Sequence, residues 1–202
     1  MLVNMVSLNY YLAIMANKQV FDLIERISAL LRSDTRRHAM PNDLQPVHLQ
    51  VLDYLQRANR FSNTPLAVGE YLGLTKGNMS QRINVLEHLD FIRKEADEHD
   101  GRVVHLHLTS TGKRLLQQSY PPTSWRDLAS VTSSASNKIL ETVLNELLLA
   151  LIQANDFRSF GQCKTCRFHQ RRVRQARCGL LEVDLDAAQT EKICREHQPI
   201  AA

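Results

Sequence analysis

Apolar residues recur at three- and four-residue intervals through much of this chain, and the pattern breaks at defined places. Over residues 17–31, Val20, Phe21, Ile24, Ile27, Leu30 and Leu31 form one stripe, which predicts an amphipathic helix. Residues 33–42 are polar and basic and contain Pro41, so they read as a loop. Pro46 stands at a first helical position, and Val47, Val51 and Leu55 point inward along the helix that follows. Residues 61–65 are a connection. A short helix over 66–72, a tight turn at Gly73 and a second helix over 77–89 come next. Val104, Leu106 and Leu108 then alternate with His105 and His107, which predicts the return strand of a hairpin opened by Ile92, Arg93, Lys94 and Glu95. A helix restarts at Thr111 and is broken by Tyr120-Pro121-Pro122 and a Ser/Thr-rich stretch. A last amphipathic helix over 138–154 places Ile139, Val143, Leu147, Ala150 and Leu151 on one side.

Composition adjusts this picture only slightly. The chain has 202 residues, 44% hydrophobic, which suits one domain of ordinary size with an appendage. A formal charge of +4 favours a polyanionic partner without requiring one. The first residues are apolar but lack a basic start and a small-residue cleavage site, so no secretory signal is read there, and no run has the length of a membrane span. The expected location is the cytoplasm, where thiols stay reduced. Residues 1–16 form an N-terminal extension without an assigned role, and Met1 and Met15 are both possible starts.

Helix, turn, helix and hairpin in that order form a unit that lays a helix in the DNA major groove. Thr75 is expected to cap the second helix. Met79, Ile83, Leu86 and Leu89 make its core face, and Lys76, Asn78, Gln81, Arg82 and Val85 its outer face. Asn and Gln pair with adenine edges and Arg with guanine edges, while Thr75 and Lys76 stand where a phosphate meets a helix N-terminus. The plain alternative is a solvated helix face; the hairpin directly after the helix weighs against it. At the hairpin tip Arg102 suits the narrow minor groove, with Asp100 as its brace. His105 and His107 alternate outward on their strand, where a metal could also bind them.

Asp100-Gly101-Arg102, Leu108-Thr109, Gly112, the segment from Leu74 to Ser80, and Leu86-Glu87 together resemble the MarR family of winged-helix regulators. The resemblance spans roughly residues 20–154. It implies a mainly α fold with a small β-hairpin, a homodimer built by helices at both ends, and a ligand- or oxidant-sensitive regulator. It places the recognition helix at 77–89 and the minor-groove residue at Arg102. Two departures stand out. Asp90 occupies the place where the family usually has glycine, and the chain runs on past the dimer helix.

That continuation, residues 157–202, reads as a small tail module holding all four cysteines: Cys163, Cys166, Cys178 and Cys194, spaced C-x2-C-x11-C-x15-C. Four thiolates in one short window match tetrahedral zinc or an iron–sulfur cluster. The missing second tight pair leaves both open, with zinc favoured on general frequency. His169 and His197 are reserve ligands. Seven lysines or arginines and no acidic residue lie between Phe157 and Cys178, and this run touches DNA, balances the thiolates or is simply solvated.

The leading expectation is therefore a sequence-specific regulator of double-stranded, palindromic DNA, a homodimer whose tail senses metal or redox state. The alternative is a MarR-type repressor controlled by a small molecule, with the metal purely structural. No Ser/His/Asp set, phosphate-cradling glycine loop or paired carboxylates point to catalysis, and no catalytic residue is expected. The sequence does not identify the effector.

Overall fold

The computed structural model describes the backbone of residues 5–200 other than 129, 173 and 174, and side chains from residue 18 on. Part of the N-terminal extension, residues 1–4, thus lies outside the described residues. The rest of it joins a single 35-residue helix, α1 (Met5–Ala39). The loop expected over 33–42 is mostly helix: α1 continues to Ala39, and only Met40–Asn42 form a tight turn before Leu44. The cause is tertiary. Thr35 bonds back to Leu31 O, and buried Asp34 accepts the amide and hydroxyl of Ser124, far along the chain, as well as Arg37 Nη2 at 2.8 Å. These polar residues are helical because a distant segment completes their hydrogen bonds.

Next come α2 (Pro46–Arg57), α3 (Pro65–Leu72), α4 (Lys76–His88), β1 (Ile92–Ala96), β2 (Val104–Leu108) and α5 (Ser110–Ser119). Pro46 opens α2, where His48 Nδ1 accepts the Gln45 amide at 2.9 Å in a capping box. Gly73 ends α3 in the left-handed conformation with φ of 65°. The β1–β2 hairpin is antiparallel, with Ile92 opposite Leu108 and Ala96 opposite Val104. Asp90, at φ 56°, takes the left-handed backbone that the turn between α4 and β1 needs. One core joins these elements, centred on Leu49, Leu52, Tyr54, Leu86, Ile92 and Leu106.

The Ser/Thr-rich stretch holds a further short helix, α6 (Thr123–Leu128), and the last long helix starts earlier than expected: α7 (Ser134–Ala154) is capped by Ser133. Apolar side chains on α1 and α7 are left open, among them Phe21 at 62% exposure and Ile139 at 67%. The tail folds into a three-stranded antiparallel sheet of β3 (His169–Arg171), β4 (Ala176–Cys178) and β5 (Val183–Leu185), followed by one turn of helix, α8 (Ala187–Thr190). It docks on the winged unit. Ile193 enters the main core and exchanges backbone bonds with the end of α2, Ile193 N to Arg57 O at 2.8 Å and Asn59 N to Ile193 O at 2.9 Å. Phe160 packs edge-on to Tyr54 and Tyr71. Arg195 makes two 2.7 Å bonds to the Glu70 carboxylate, a forked ion pair across the junction.

Candidate nucleic-acid interface

Thr75 holds extended backbone and its Oγ1 accepts the Asn78 amide, so α4 begins at Lys76. Met79, Ile83 and Leu86 are buried and Leu89 leans on the same core. That fixes the rotation of the helix and turns Lys76, Asn78 and Gln81 outward, all exposed. Two of the expected outer residues differ. Val85 packs against the core, and Arg82 is half-buried, close enough to His48 for its charge to oppose protonation there. Burial is the larger cause, and together they push His48 down to about 4.

The hairpin is tied to α4 by Lys94, whose ammonium meets Asn84 Oδ1 at 3.0 Å and Glu87 Oε2 at 2.6 Å. Asp97 organises its tip. One carboxylate oxygen accepts the amides of His99 and Asp100 at 2.8 and 2.9 Å; the other accepts His105 Nε2 at 3.0 Å. The His105 bond, then these two amides, hold the Asp97 carboxyl down to about 2. Asp100 braces the backbone of Arg102, accepting its amide at 3.0 Å, while its distance to the guanidinium is 4.0 Å. The Arg102 side chain is 95% exposed and projects from the tip. His105 is not free to take a metal with its neighbour: half-buried, it spends its second nitrogen on Asn63 Oδ1 at 2.6 Å. Asn63 also pairs with Leu106 in both directions, at 2.7 and 3.2 Å. Lys94, Asp97 and Asn63 were missed in the sequence. The Asp97-x-His99-Asp100 spacing is a local turn signal that marks the first carboxylate; nothing local marks the other two.

All four cysteine side chains are buried and unpaired by disulfides. Antiparallel bonds, Cys163 N to Lys192 O and Cys194 N to Gly161 O, set the first and last side by side. Cys163 and Cys178 share a small apolar cluster with Leu185. Burial, followed by the neighbouring Cys194, Cys178 and Cys166, pushes the Cys163 thiol up to about 12. Backbone amides point at the sulfurs: Leu181 N to Cys178 Sγ and Gln198 N to Cys166 Sγ, each at 3.5 Å. Burial raises Cys194, against donors from Asn59, the Glu196 amide and Ser62. His197 is committed elsewhere, to Ser159 at 2.7 Å and Thr165 at 3.0 Å, whereas His169, opposite Cys178 in the sheet, has a buried Nδ1 with no partner. Amide donors to buried thiols and an orphaned imidazole nitrogen fit the chemistry of a thiolate metal site. Among the described residues, however, no three His, Cys, Asp or Glu side chains stand in a metal-holding group: the thiols are gathered, not drawn into a ligand set. In the basic run, Arg167 stacks on Phe168 and Arg177 faces Asp184 at 3.5 Å; Arg174 lies outside the described residues.

A three-helix unit with a threonine-capped outer helix and a hairpin whose arginine-tipped end is free defines a winged helix-turn-helix. Residues 42–103 match the family model described as MarR family. No curated protein matches the chain. Among solved structures, a MarR transcriptional regulator from Methanosarcina mazei Go1 is similar at a TM-score of 0.56 and 16% identity, covering 66% of this chain and 97% of that one. BldR from Sulfolobus solfataricus is similar at 0.56 and 17% identity, covering 68% and 97%. The S. aureus MepR–DNA complex is similar at 0.54 and 22% identity, covering 63% and 95%. The fold is therefore that of MarR-type winged helix-turn-helix proteins, with about a third of this chain beyond it. Among the described residues no helix is long and apolar enough to cross a membrane.

Proposed function

We propose that this chain is a MarR-family transcription regulator of the cytoplasm, not an enzyme, which binds a palindromic operator in double-stranded DNA as a homodimer. The observation that carries the reading is the joint geometry of α4 and the wing. Lys76, Asn78 and Gln81 face outward from a helix whose opposite face is locked in the core, and Arg102 stands clear at the hairpin tip. Thr75 and Lys76 meet phosphate at the helix N-terminus, Asn78, Gln81 and Arg82 read major-groove edges, and Arg102 enters the minor groove. The protein of similar fold from S. aureus was solved with DNA bound. Open apolar side chains on α1 and α7 support a two-fold dimer joined through those helices.

The tail is read as a metal site. Cys163, Cys166, Cys178 and Cys194 would hold zinc, favoured on frequency, or an iron–sulfur cluster, with His169 in reserve. Bound metal supplies a fixed positive centre that keeps the thiolates ionised, and through it the tail senses metal or redox state. Selection of random duplexes by the purified protein tests the DNA reading. It expects a two-fold symmetric consensus, and recovery of no sequence sinks it. Metal analysis after anaerobic purification tests the tail: one equivalent of zinc in a colourless protein, or iron and sulfide in a brown one, supports it, and neither sinks it.

A second reading makes the metal structural and a small molecule the effector. It is favoured by a cleft of about 2010 Å³ where α7 meets the tail, lined by Tyr71, Leu148, Leu149, Ile152, Phe157 and Phe160 among others. DNA affinity unchanged by chelator and oxidant would decide for it.

A further inference from the structure

His105 lies beneath the wing tip with an acceptor at each ring nitrogen. Nδ1 meets Asn63 Oδ1 at 2.6 Å, and Nε2 meets Asp97 Oδ2 at 3.0 Å. Asn63 is not free to offer its nitrogen instead, because Nδ2 already donates to Leu106 O at 3.2 Å. The reversed amide would set two oxygens face to face. Both contacts therefore need a hydrogen on the imidazole. A neutral ring carries one and leaves a lone pair against an oxygen at the other contact; the imidazolium carries two and satisfies both. Asn63 is 7% exposed and the His105 side chain 18%, so water replaces a lost bond poorly. From this ring the bonds run on to the tip. Asp97 holds the amides of His99 and Asp100 with its other oxygen, and the Asp100 carboxylate accepts the Arg102 amide at 3.0 Å. In the other direction Asn63 is anchored by its carbonyl, which accepts the Leu106 amide at 2.7 Å.

The neighbouring charges leave this ring to Asp97. Glu95, opposite His105 on β1, pairs with Arg93 and lies 3.6 Å from His107 Nε2. The His107 ring is 6.5 Å from that of His105. On the helices packed against β2, Asp53 is tied to Arg57 and Glu70 to Arg195, while Arg60 and Lys113 line a cleft beside Arg93 and His107. We infer, resting on the DNA-binding reading of α4 and the wing, that His105 is a proton-dependent positioning residue. As an imidazolium it clamps Asn63 to Asp97 and holds the turn that presents Arg102 to DNA; on giving its proton to water it releases one side of the clamp. The state that binds DNA thus carries one more proton than the state with a loosened tip. Duplex affinity falls as pH rises through the histidine range.

The test uses the full chain and its selected duplex at about pH 6 and about pH 8, toward either end of the range in which histidine titrates. Imidazole nitrogen shifts by NMR report which His105 nitrogens carry hydrogen, and fluorescence anisotropy reports affinity. In the wild type, both nitrogens are expected to carry hydrogen at the lower pH and one at the higher. Affinity is expected to fall about fivefold or more between them, the lower end of ordinary coupling between sites. Asp97→Asn keeps the oxygen that takes the His99 and Asp100 amides and sets an amide donor against Nε2. A neutral ring then makes both bonds, donating from Nδ1 and accepting at Nε2. This variant is expected to bind at the higher pH at least as tightly as the wild type does at the lower, with a pH dependence below about twofold. A carboxylate with a merely structural role would instead weaken binding at both when replaced. Arg102→Ala, which removes the residue being positioned, is also expected to bring the pH dependence below about twofold. Ring nitrogens unchanged between the two pH values, or either variant keeping the pH dependence of the wild type, overturns the clamp and leaves the DNA reading standing. A selection that yields no duplex overturns the DNA reading, and the clamp with it.

Discussion

Gly112 lies against the carbonyl of Phe91 so closely that a β-carbon built on it would come within 2.1 Å of that oxygen. The contact joins the first turn of α5 to the entry of β1. Thr109 completes the joint: its hydroxyl donates to Asp90 O at 2.7 Å and accepts the Gly112 amide at 3.0 Å. The obstacle is backbone rather than a side chain that could swing aside. Gly112→Ala is expected to cost about 3 kcal/mol, the upper part of the overpacking range, in urea unfolding. Gly77, with nothing within 4 Å of its missing β-carbon, is the opposite case. Gly77→Ala is expected to gain several tenths to ~1 kcal/mol from helix propensity. Equal effects at the two glycines would refute the packing account.

His48 gives the fold an acid-sensitive element. Only 2% exposed, with Nδ1 accepting the Gln45 amide and Nε2 buried without a partner, it is held neutral. Its folded pKa, about 4 against 6.5 when unfolded, means that the unfolded chain takes up the proton first. Stability is thus flat with respect to this group above about pH 6.5 and is lost as pH falls toward 4, reaching about 3 kcal/mol there. His107 and His197, also depressed by burial, act with the same sign. The measurement is therefore a difference: His48→Gln is expected to remove most of the slope between pH 6.5 and 4.5. An unaltered slope would sink the assignment.

Arg102 carries a prediction free of folding effects, because its side chain is 95% exposed. Arg102→Ala is expected to leave the unfolding midpoint unchanged. It should lower affinity for the selected duplex and reduce the slope of log K against log salt by about one. Gln81→Ala should instead relax base preference at one position, at about 1–3 kcal/mol. Identical salt slopes for wild type and Arg102→Ala would remove the arginine from the DNA.

Arg195 and Glu70 hold the tail on α3 through a forked pair, with Arg195 raised by that bond and Glu70 lowered by it. Arg195→Met keeps the stem and removes the fork. It is expected to cost about 1.5–3 kcal/mol, the range for hydrogen bonds to charged groups. Zinc at a hundredfold excess over its Kd should add about 2.7 kcal/mol to unfolding in the wild type and nothing in chelator. Thermal unfolding with and without each additive checks both.

The parts of this fold that were legible in the sequence are those whose causes are local. Thr75 caps α4 because its own hydroxyl meets an amide three residues on, and Met79, Ile83 and Leu86 fix the helix rotation by spacing alone. Asp90 at a left-handed position follows from the tight turn between α4 and β1. What was not legible depends on distant partners. Residues 33–39 look like a polar loop until Ser124, 90 residues beyond Asp34, satisfies that carboxylate. His105 looks like a surface histidine until Asn63, 42 residues before it, takes one nitrogen. Arg82, counted as an outer-face residue, is half-buried, and its charge reaches His48 on another helix.

The docking of Ile193 into the main core has a practical consequence for anyone who would move this winged helix-turn-helix unit between proteins. The segment 42–103 that matches the family is not a transferable cassette here. Cut out, it would expose Ala58 and Tyr54, strand the Asn59 amide and the Ser62 hydroxyl, and leave Glu70 without its cation. A chimera that keeps this unit must also carry residues 157–200. One that replaces the tail must redesign the end of α2 as a new surface.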